Sequence, residues 1–224
     1  MNKPFDWADE PATWAFPVAR PGLPFIYTSA FLALIFAILG MPGLTVFMLF
    51  TSLCITLFFR DPDRVIPQHE KAVISPADGK VIIAEIMDSS PYFDQPCLKI
   101  SIFMTVFNVH VNRMPCNGKV ADVIYHPGKF VSANLDKAST DNERNAVVVN
   151  LENGQSMAVV QIAGLIARRI ISQVHPGDTV QKGQRFGMIC FGSRLDVYLP
   201  QDTELHVKVG DRVKSGASIL AYLV

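Results

Sequence analysis

The chain has 224 residues, enough for one domain of ordinary size plus an added segment. Its 20 basic and 20 acidic residues cancel, so composition gives no polycationic surface for nucleic acid. Half of the residues are hydrophobic, and the excess is concentrated near the N-terminus.

Residues 1–20 form a polar segment with Asp6, Asp9, Glu10, Trp7 and Trp14, which is unlike the short basic leader of a cleaved signal. From Pro21 to Phe59 there are 39 residues without a charge, bracketed by Arg20 and Arg60. Gly40-Met41-Pro42-Gly43 divides that stretch into Leu23 to Leu39 and Leu44 to Phe59, each covering roughly 25 Å as a helix. Neither half has a polar face, which predicts a hydrophobic membrane hairpin over 21–59 and argues against a buried soluble helix pair. A hairpin that spans the bilayer and one that dips into a single leaflet both fit. Lys3 and Arg20 before it, and Arg60 and Arg64 after it, place both ends on the cytoplasmic face of the cell membrane. The two tryptophans suit the membrane–water boundary, and equally a protein core.

From Ile66 onward short strands alternate with turn chemistry. Val73-Ile74, Pro76-Ala77-Asp78-Gly79 and Val81-Ile82-Ile83 read as strand, turn, strand. Leu98 to Phe107 reads as another strand, and Val147 to Leu151 with Met157 to Ile162 as a hairpin around Asn153-Gly154. No long helical period follows Phe59, so residues 60–224 are expected to form one mainly β domain. Cys54, Cys97, Cys116 and Cys190 show no paired spacing, which fits buried thiols in a reducing compartment and neither zinc nor disulfides.

The last fifty residues hold a weak repeat. Gly177-Asp178-Thr179-Val180 to Gly183 and Gly210-Asp211-Arg212-Val213 to Gly216 share Gly-Asp-x-Val-x-x-Gly ahead of an apolar run. Its glycines suit tight turns and its valine an inward position. This resembles the half-motif of lipoyl and biotinyl domains, as does Pro76-Ala77-Asp78-Gly79-Lys80-Val81. The implied fold is a lipoyl-like barrel-sandwich hybrid preceded by the helical hairpin, which leaves function open.

Between the apolar run Phe186 to Phe191 and the alternating Leu195, Val197 and Leu199 stands Gly192-Ser193, where two strands meet. Alone the dipeptide is common loop punctuation. Its company is specific: Phe58-Phe59-Arg60-Asp61-Pro62, Ser75-Pro76-Ala77-Asp78-Gly79, Asn108-Val109-His110-Val111-Asn112-Arg113-Met114-Pro115, Asn142-Glu143-Arg144-Asn145 and Phe191-Gly192-Ser193. In that order these motifs resemble phosphatidylserine decarboxylase, nearest the short proenzyme form of some bacteria and of archaea, from about Phe58 to Val224.

The resemblance implies decarboxylation of phosphatidylserine to phosphatidylethanolamine and CO2. Decarboxylating an amino acid leaves a carbanion for which side chains offer no adequate electron sink. The family's sink is a pyruvoyl group that forms a Schiff base with the substrate amine. By resemblance, Ser193 Oγ attacks the Gly192 carbonyl, the ester eliminates, and loss of ammonia leaves pyruvoyl at 193. The products are chains 1–192 and 193–224, held together as a heterodimer that can assemble further. Neither metal nor an added organic cofactor is expected. Glycine before the serine leaves room for attack and accepts strained backbone angles.

Attack needs a base, and His110 is the candidate, with Asp78 to orient it. The plain alternatives are a core histidine and an Asp-Gly turn. Longer bacterial relatives carry His-x-x-His here, whereas this chain reads His110-x-x-Arg113. His110 therefore serves both self-cleavage and the later protonation, or His126 takes part of the work. Arg113, Arg144 and the Arg168-Arg169 pair are candidates for the headgroup phosphate, or surface charges. A membrane adaptor with lipoyl-like halves would need a long heptad-patterned hairpin, which is missing. A phosphocarrier would share the Asp-Gly turn and a reactive histidine but has no use for Gly192-Ser193 or a lipid anchor. A biotin or lipoyl carrier would need a lysine in a Met-Lys context at a hairpin tip.

Overall fold

The computed structural model describes residues 17–133, 138–165, 170–190 and 192–224. Lys3, Trp7, Trp14, Arg168, Arg169 and Phe191, singled out above, lie outside them. The described residues fall into two units, one ending at Asp63 and the other spanning Arg64–Val224.

In the first unit a single 3-10 turn, Arg20–Gly22, leads into α1 (Leu23–Ile38), and α2 (Pro42–Phe58) packs back along it. Pro24 and Pro42 sit in the first turns of their helices, where a missing N–H breaks no helical bond. Ser29 and Ala33, four residues apart, are the buried side chains of α1 and let the helices approach closely. Phe31, Leu34, Phe47 and Phe50 are exposed, so the exterior of the hairpin is apolar. The hydroxyls of Thr28, Ser29, Thr45, Thr51 and Thr56 donate to carbonyls three or four residues back, so the helices satisfy these polar groups internally. Arg20–Ile38 is long and apolar enough to cross a membrane, and Pro42–Phe58 is shorter. Where the chain enters and leaves the hairpin its backbone is tied, Ala19 N–H to Phe59 O and Asp61 N–H to Pro17 O, both at 2.8 Å.

The second unit is mainly β. Its elements are β1 (Ala72–Ile74), β2 (Gly79–Met87), β3 (Cys97–Met104), β4 (Val111–Arg113), β5 (Gly118–His126), the short α3 (Ala138–Asp141), β6 (Arg144–Asn150) and β7 (Ser156–Ile162). They continue with β8 (Ile170–Ser172), β9 (Thr179–Val180), β10 (Arg185–Ile189), β11 (Ser193–Pro200), β12 (Glu204–Leu205), β13 (Arg212–Val213) and β14 (Ile219–Tyr222). An eight-stranded antiparallel sheet runs β13-β2-β3-β11-β7-β6-β5-β9, and two three-stranded sheets run β1-β14-β12 and β4-β10-β8.

Alternation sets the faces of the large sheet. In β11, Leu195, Val197 and Leu199 face the main core with Ile100 and Ile102 of β3, Val147 and Val149 of β6 and Val159 of β7. Tyr198 faces a second cluster with Cys97, Ala146, Ala158, Val160 and Ile162, covered by Tyr92 and Phe93. The hairpin read around Asn153-Gly154 is present as β6–β7. The strand expected to reach Phe107 stops at Met104, because Asn108 Oδ1 accepts from Thr105 N–H and from its hydroxyl, both at 2.8 Å, closing a turn.

The repeat read from sequence is a structural repeat. Val180 and Val213 are buried, in two-residue strands that pair with the starts of β5 and β2. Gly177 N–H donates to Val120 O, and Gly210 N–H donates to Val81 O. The partners of those turns form a second repeat that the sequence reading did not register: Pro115-Cys116-Asn117-Gly118-Lys119-Val120 matches Pro76-Ala77-Asp78-Gly79-Lys80-Val81. Ser215 N–H donates to Asp78 Oδ1 at 2.7 Å, and Lys182 N–H donates to Asn117 Oδ1 at 2.8 Å.

Burial pushes the Cys116 thiol up from 9.0 to about 12, with Lys182 opposing the shift, and raises the Tyr198 phenol as well. A proton held more tightly in the fold stabilises it fully below the unfolded thiol's range, and that stability is lost as pH rises from about 9 toward 12. Melting temperature is therefore expected to fall across that window. Iodoacetamide at pH 8 should leave Cys116 unmodified until the protein is denatured, as peptide mass mapping would show.

Candidate active site

The site is built where β3, β11 and β7 lie side by side. Ser193 opens β11 opposite Met104, and Arg194 stands between Phe103 of β3 and Ile162 of β7. The preceding strand β10 belongs to a different sheet, so the chain changes sheets across the Gly192-Ser193 junction. Gly192 makes the change with φ +56°, the left-handed region that side-chain-bearing residues rarely adopt. Among the described residues no atom lies within 4 Å of a Cβ built there, so it is the conformation at 192 that calls for glycine.

Ser193 is fully buried, and its hydroxyl donates to Met104 Sδ at 3.5 Å. A thioether is a weak acceptor, so the nucleophile's proton is not committed to a strong partner. Asn112 Nδ2 reaches the same sulfur at 4.0 Å. Its Oδ1 accepts from Gln161 Nε2 at 2.9 Å, and Gln161 Oε1 accepts from Asn145 at 3.3 Å. A chain of buried amides thus runs from β6 through Gln161 and Asn112 to the Met104 sulfur that also accepts from the serine.

His110 is fully buried. It directly precedes β4, two residues before Asn112. Asp78 directly precedes β2, which flanks β3 on the side away from β11. Asp78 and Ser193 therefore approach one end of β3 from opposite sides, about 10 Å apart at two strand spacings. The Asp78 carboxylate is held by Ser215 N–H and by Arg64 Nη2, at 3.2 and 3.0 Å to its two oxygens. Arg64, read above only as a flanking charge, is thus a partner of the candidate triad.

The other expected residues stand elsewhere. Arg113 is buried, donates to Gly183 O at 3.2 Å and packs against Gly216. Arg144 and His126 face each other across β6 and β5 on the sheet face that carries Ala146 and Ile124, opposite Ser193. His126 lies three strands from Arg194, about 14 Å. His126 thus stands on the face opposite Ser193, and Arg144 lies beside the Tyr92 phenol.

Sequence reading also missed the charges behind the serine. Arg194 and Asp196 are wholly buried, with Nε to Oδ1 at 2.6 Å and Nη2 to Oδ2 at 3.2 Å. Ser101 Oγ accepts from Arg194, while Ser139 Oγ and Lys99 Nζ stand 3.0 and 3.5 Å from Asp196 Oδ2. In sequence these charges alternate with apolar residues as on an ordinary solvent face, and nothing local signals that this face is covered.

A pyruvoyl group fits position 193, since its keto carbon and methyl are the serine's own Cα and Cβ and its keto oxygen takes the place of the backbone nitrogen. The Asn112 amide shares the Met104 sulfur with the Ser193 hydroxyl. Among the described residues no cluster of histidine, cysteine, aspartate and glutamate is arranged to hold a metal.

Residues 51–221 match the family model described as phosphatidylserine decarboxylase. A phosphatidylserine decarboxylase proenzyme of Desulfotalea psychrophila is 50% identical over 208 residues, 93% of this chain and 97% of that protein. One of Syntrophus aciditrophicus is 50% identical over 206 residues, covering 91% and 96% of the two chains. One of Burkholderia pseudomallei is 47% identical over 206 residues, covering 92% and 95%. With matches of that extent, the chain belongs to the phosphatidylserine decarboxylase family of enzymes.

Proposed function

We propose that the chain is a self-processing, membrane-anchored decarboxylase that converts phosphatidylserine to phosphatidylethanolamine and CO2. The observation that carries the reading is Gly192 in a left-handed conformation directly before the buried Ser193, with family membership behind it. In self-cleavage Ser193 Oγ bonds to the Gly192 carbonyl carbon, the peptide C–N bond breaks, and the hydroxyl proton passes through His110 to the freed amine. The resulting ester loses the Cα proton of residue 193, and the Cβ–O bond breaks to release the Gly192 carboxylate. Water then displaces ammonia and leaves a pyruvoyl group at 193.

That group supplies the electron sink for loss of CO2 when substrate is bound. Around it His110 holds and returns the proton required by the carbon that loses CO2, and Asp78 steadies the charged imidazole. Asn112, locked by Gln161, presents an amide donor to the substrate's polar atoms. Residues 60–224 act as the decarboxylase domain. The hairpin at 21–59 keeps that domain at the cytoplasmic face of the cell membrane, where acyl chains can stay in lipid. The adaptor and phosphocarrier alternatives lose their ground to the family match.

Intact mass under denaturing conditions tests the central step. Two chains, 1–192 and 193–224, are expected, the smaller with a blocked, borohydride-reducible N-terminus. A single 24.7 kDa chain from a folded preparation would remove the electron sink and this reading with it.

A further inference from the structure

A second glycine lies against the scissile bond. A Cβ built on Gly164 would overlap the Gly192 carbonyl oxygen, with the Gly192 carbonyl carbon at 3.0 Å and Ala133 Cβ at 3.2 Å. Gly164 itself has no positive φ, so its backbone suits any residue. The two glycines have opposite reasons for being glycine. At 192 the backbone angle demands it, and at 164 the space does.

The segment carrying Gly164 is pinned. Ala163 N–H donates to Glu143 O at 2.9 Å, and Ala163 O accepts from Asn142 Nδ2 at 2.7 Å. Asn142 is fully buried, and its side chain also brackets Val131, donating to Val131 O and accepting from Val131 N–H. Among the described residues, this gives the Gly192 carbonyl oxygen a fixed seat on the side away from solvent.

We propose that Gly164 is a positioning residue for self-cleavage: its missing side chain seats the Gly192 carbonyl oxygen, and Asn142 holds that seat in place. The inference rests on the proposed cleavage at Gly192-Ser193. A carbonyl whose oxygen is packed against the Gly164 Cα cannot swing, so its carbon stays presented to Ser193 Oγ. The Cα–H groups also lie on the oxygen that gains charge as the Oγ–C bond forms. The step gated by the seat is the first one, formation of Oγ–C with breakage of C–N and transfer of the hydroxyl proton to the amine of residue 193.

The test follows newly made Gly164→Ala precursor by intact mass, alongside its melting temperature. Cleavage should slow about 100-fold, the size of loss that a small misplacement of reacting atoms gives, and the melting temperature should also fall because the overlapped atom is backbone and has to shift. Neutral hydroxylamine, which cuts an accumulated ester, should release little small chain from this variant, because the block precedes the ester. Wild-type cleavage, or abundant hydroxylamine-releasable ester, would overturn the proposal. Should Gly164→Ala prove insoluble, Ala133→Gly combined with it removes the second crowding contact and leaves only the overlap with the carbonyl. Wild-type cleavage in that soluble double variant would overturn it equally. Failure of the wild-type chain to cleave would instead overturn the proposed function, so the two failures are distinguishable.

Discussion

Asp78→Asn should fold, melt near the wild type and remain a single chain. The protein contains its own control: Asn117 already performs the turn-closing task of Asp78, accepting a backbone N–H at 2.8 Å where Asp78 accepts one at 2.7 Å. The surrounding bonds are duplicated too, Val81 N–H to Asp211 O and Val120 N–H to Asp178 O. A neutral amide oxygen therefore suffices for the fold, and the carboxylate charge is surplus to it. What the substitution removes is the ion pair with Arg64 and the negative charge proposed to steady the His110 imidazole. The stability cost should stay near 1–2 kcal/mol, the value of one charge-assisted bond weakened to a neutral one. Cleavage should fall by roughly 10³-fold or more, as when a catalytic aspartate beside histidine is made neutral. Calorimetry and intact mass on one preparation read both quantities. Cleavage at the wild-type rate would reduce Asp78 to a turn residue.

Asp196→Ala should be the costliest single change on the outer face of the sheet. Arg194 and Asp196 are both fully buried, and Lys99 stands at the same carboxylate. Removing the aspartate leaves a guanidinium without its forked partner and an ammonium beside it, far from water. Breaking such a pair costs about 3–5 kcal/mol because an uncompensated charge stays buried. For a chain of this length that lowers the melting temperature by about 10 °C. Arg194→Met and Asp196→Leu combined with Lys99→Met remove all three charges and should recover much of the loss, since a buried charge cluster's own net contribution is small. A urea titration of the three proteins checks the order. Near-wild-type stability of Asp196→Ala would mean that water reaches the pair.

The elements governed by local rules were legible in the sequence. The charge-free hairpin, the Asn153-Gly154 turn and the inward valines of Gly-Asp-x-Val-x-x-Gly all follow from residue type and spacing. The second turn repeat escaped because Asn117 replaces the aspartate and Cys116 the alanine, although the hydrogen bonds are the same. Pairings between distant segments, such as β1 with β14, leave no local trace. At the site, motif order drew attention to Ser193, His110 and Asp78 and equally to Arg113, Arg144 and His126. Spacing could not tell that Arg113 would meet Gly183 O or that Arg144 and His126 would share the sheet face opposite Ser193. Arg64, Gly164 and the Asn112–Gln161–Asn145 chain are defined by where other parts of the fold arrive, which spacing cannot express.

The place of β11 in the middle of the large sheet has a consequence for the life history of the molecule. An uncut chain delivers that strand between β3 and β7 as a tethered segment, at a rate independent of concentration. Once the Gly192-Ser193 link is severed, the piece beginning at 193 still supplies β11, the edge strand β13 and the central β14 of a second sheet. It cannot leave without opening both sheets, so the cut assembly persists by a slow escape rate as much as by its equilibrium stability. After full denaturation the tether is gone, and reassembly becomes a bimolecular search for a slot in a sheet whose neighbours have collapsed without it. Folding is thereby written into the order of events: the chain can be cut after it folds, but the cut form has no equally direct way back.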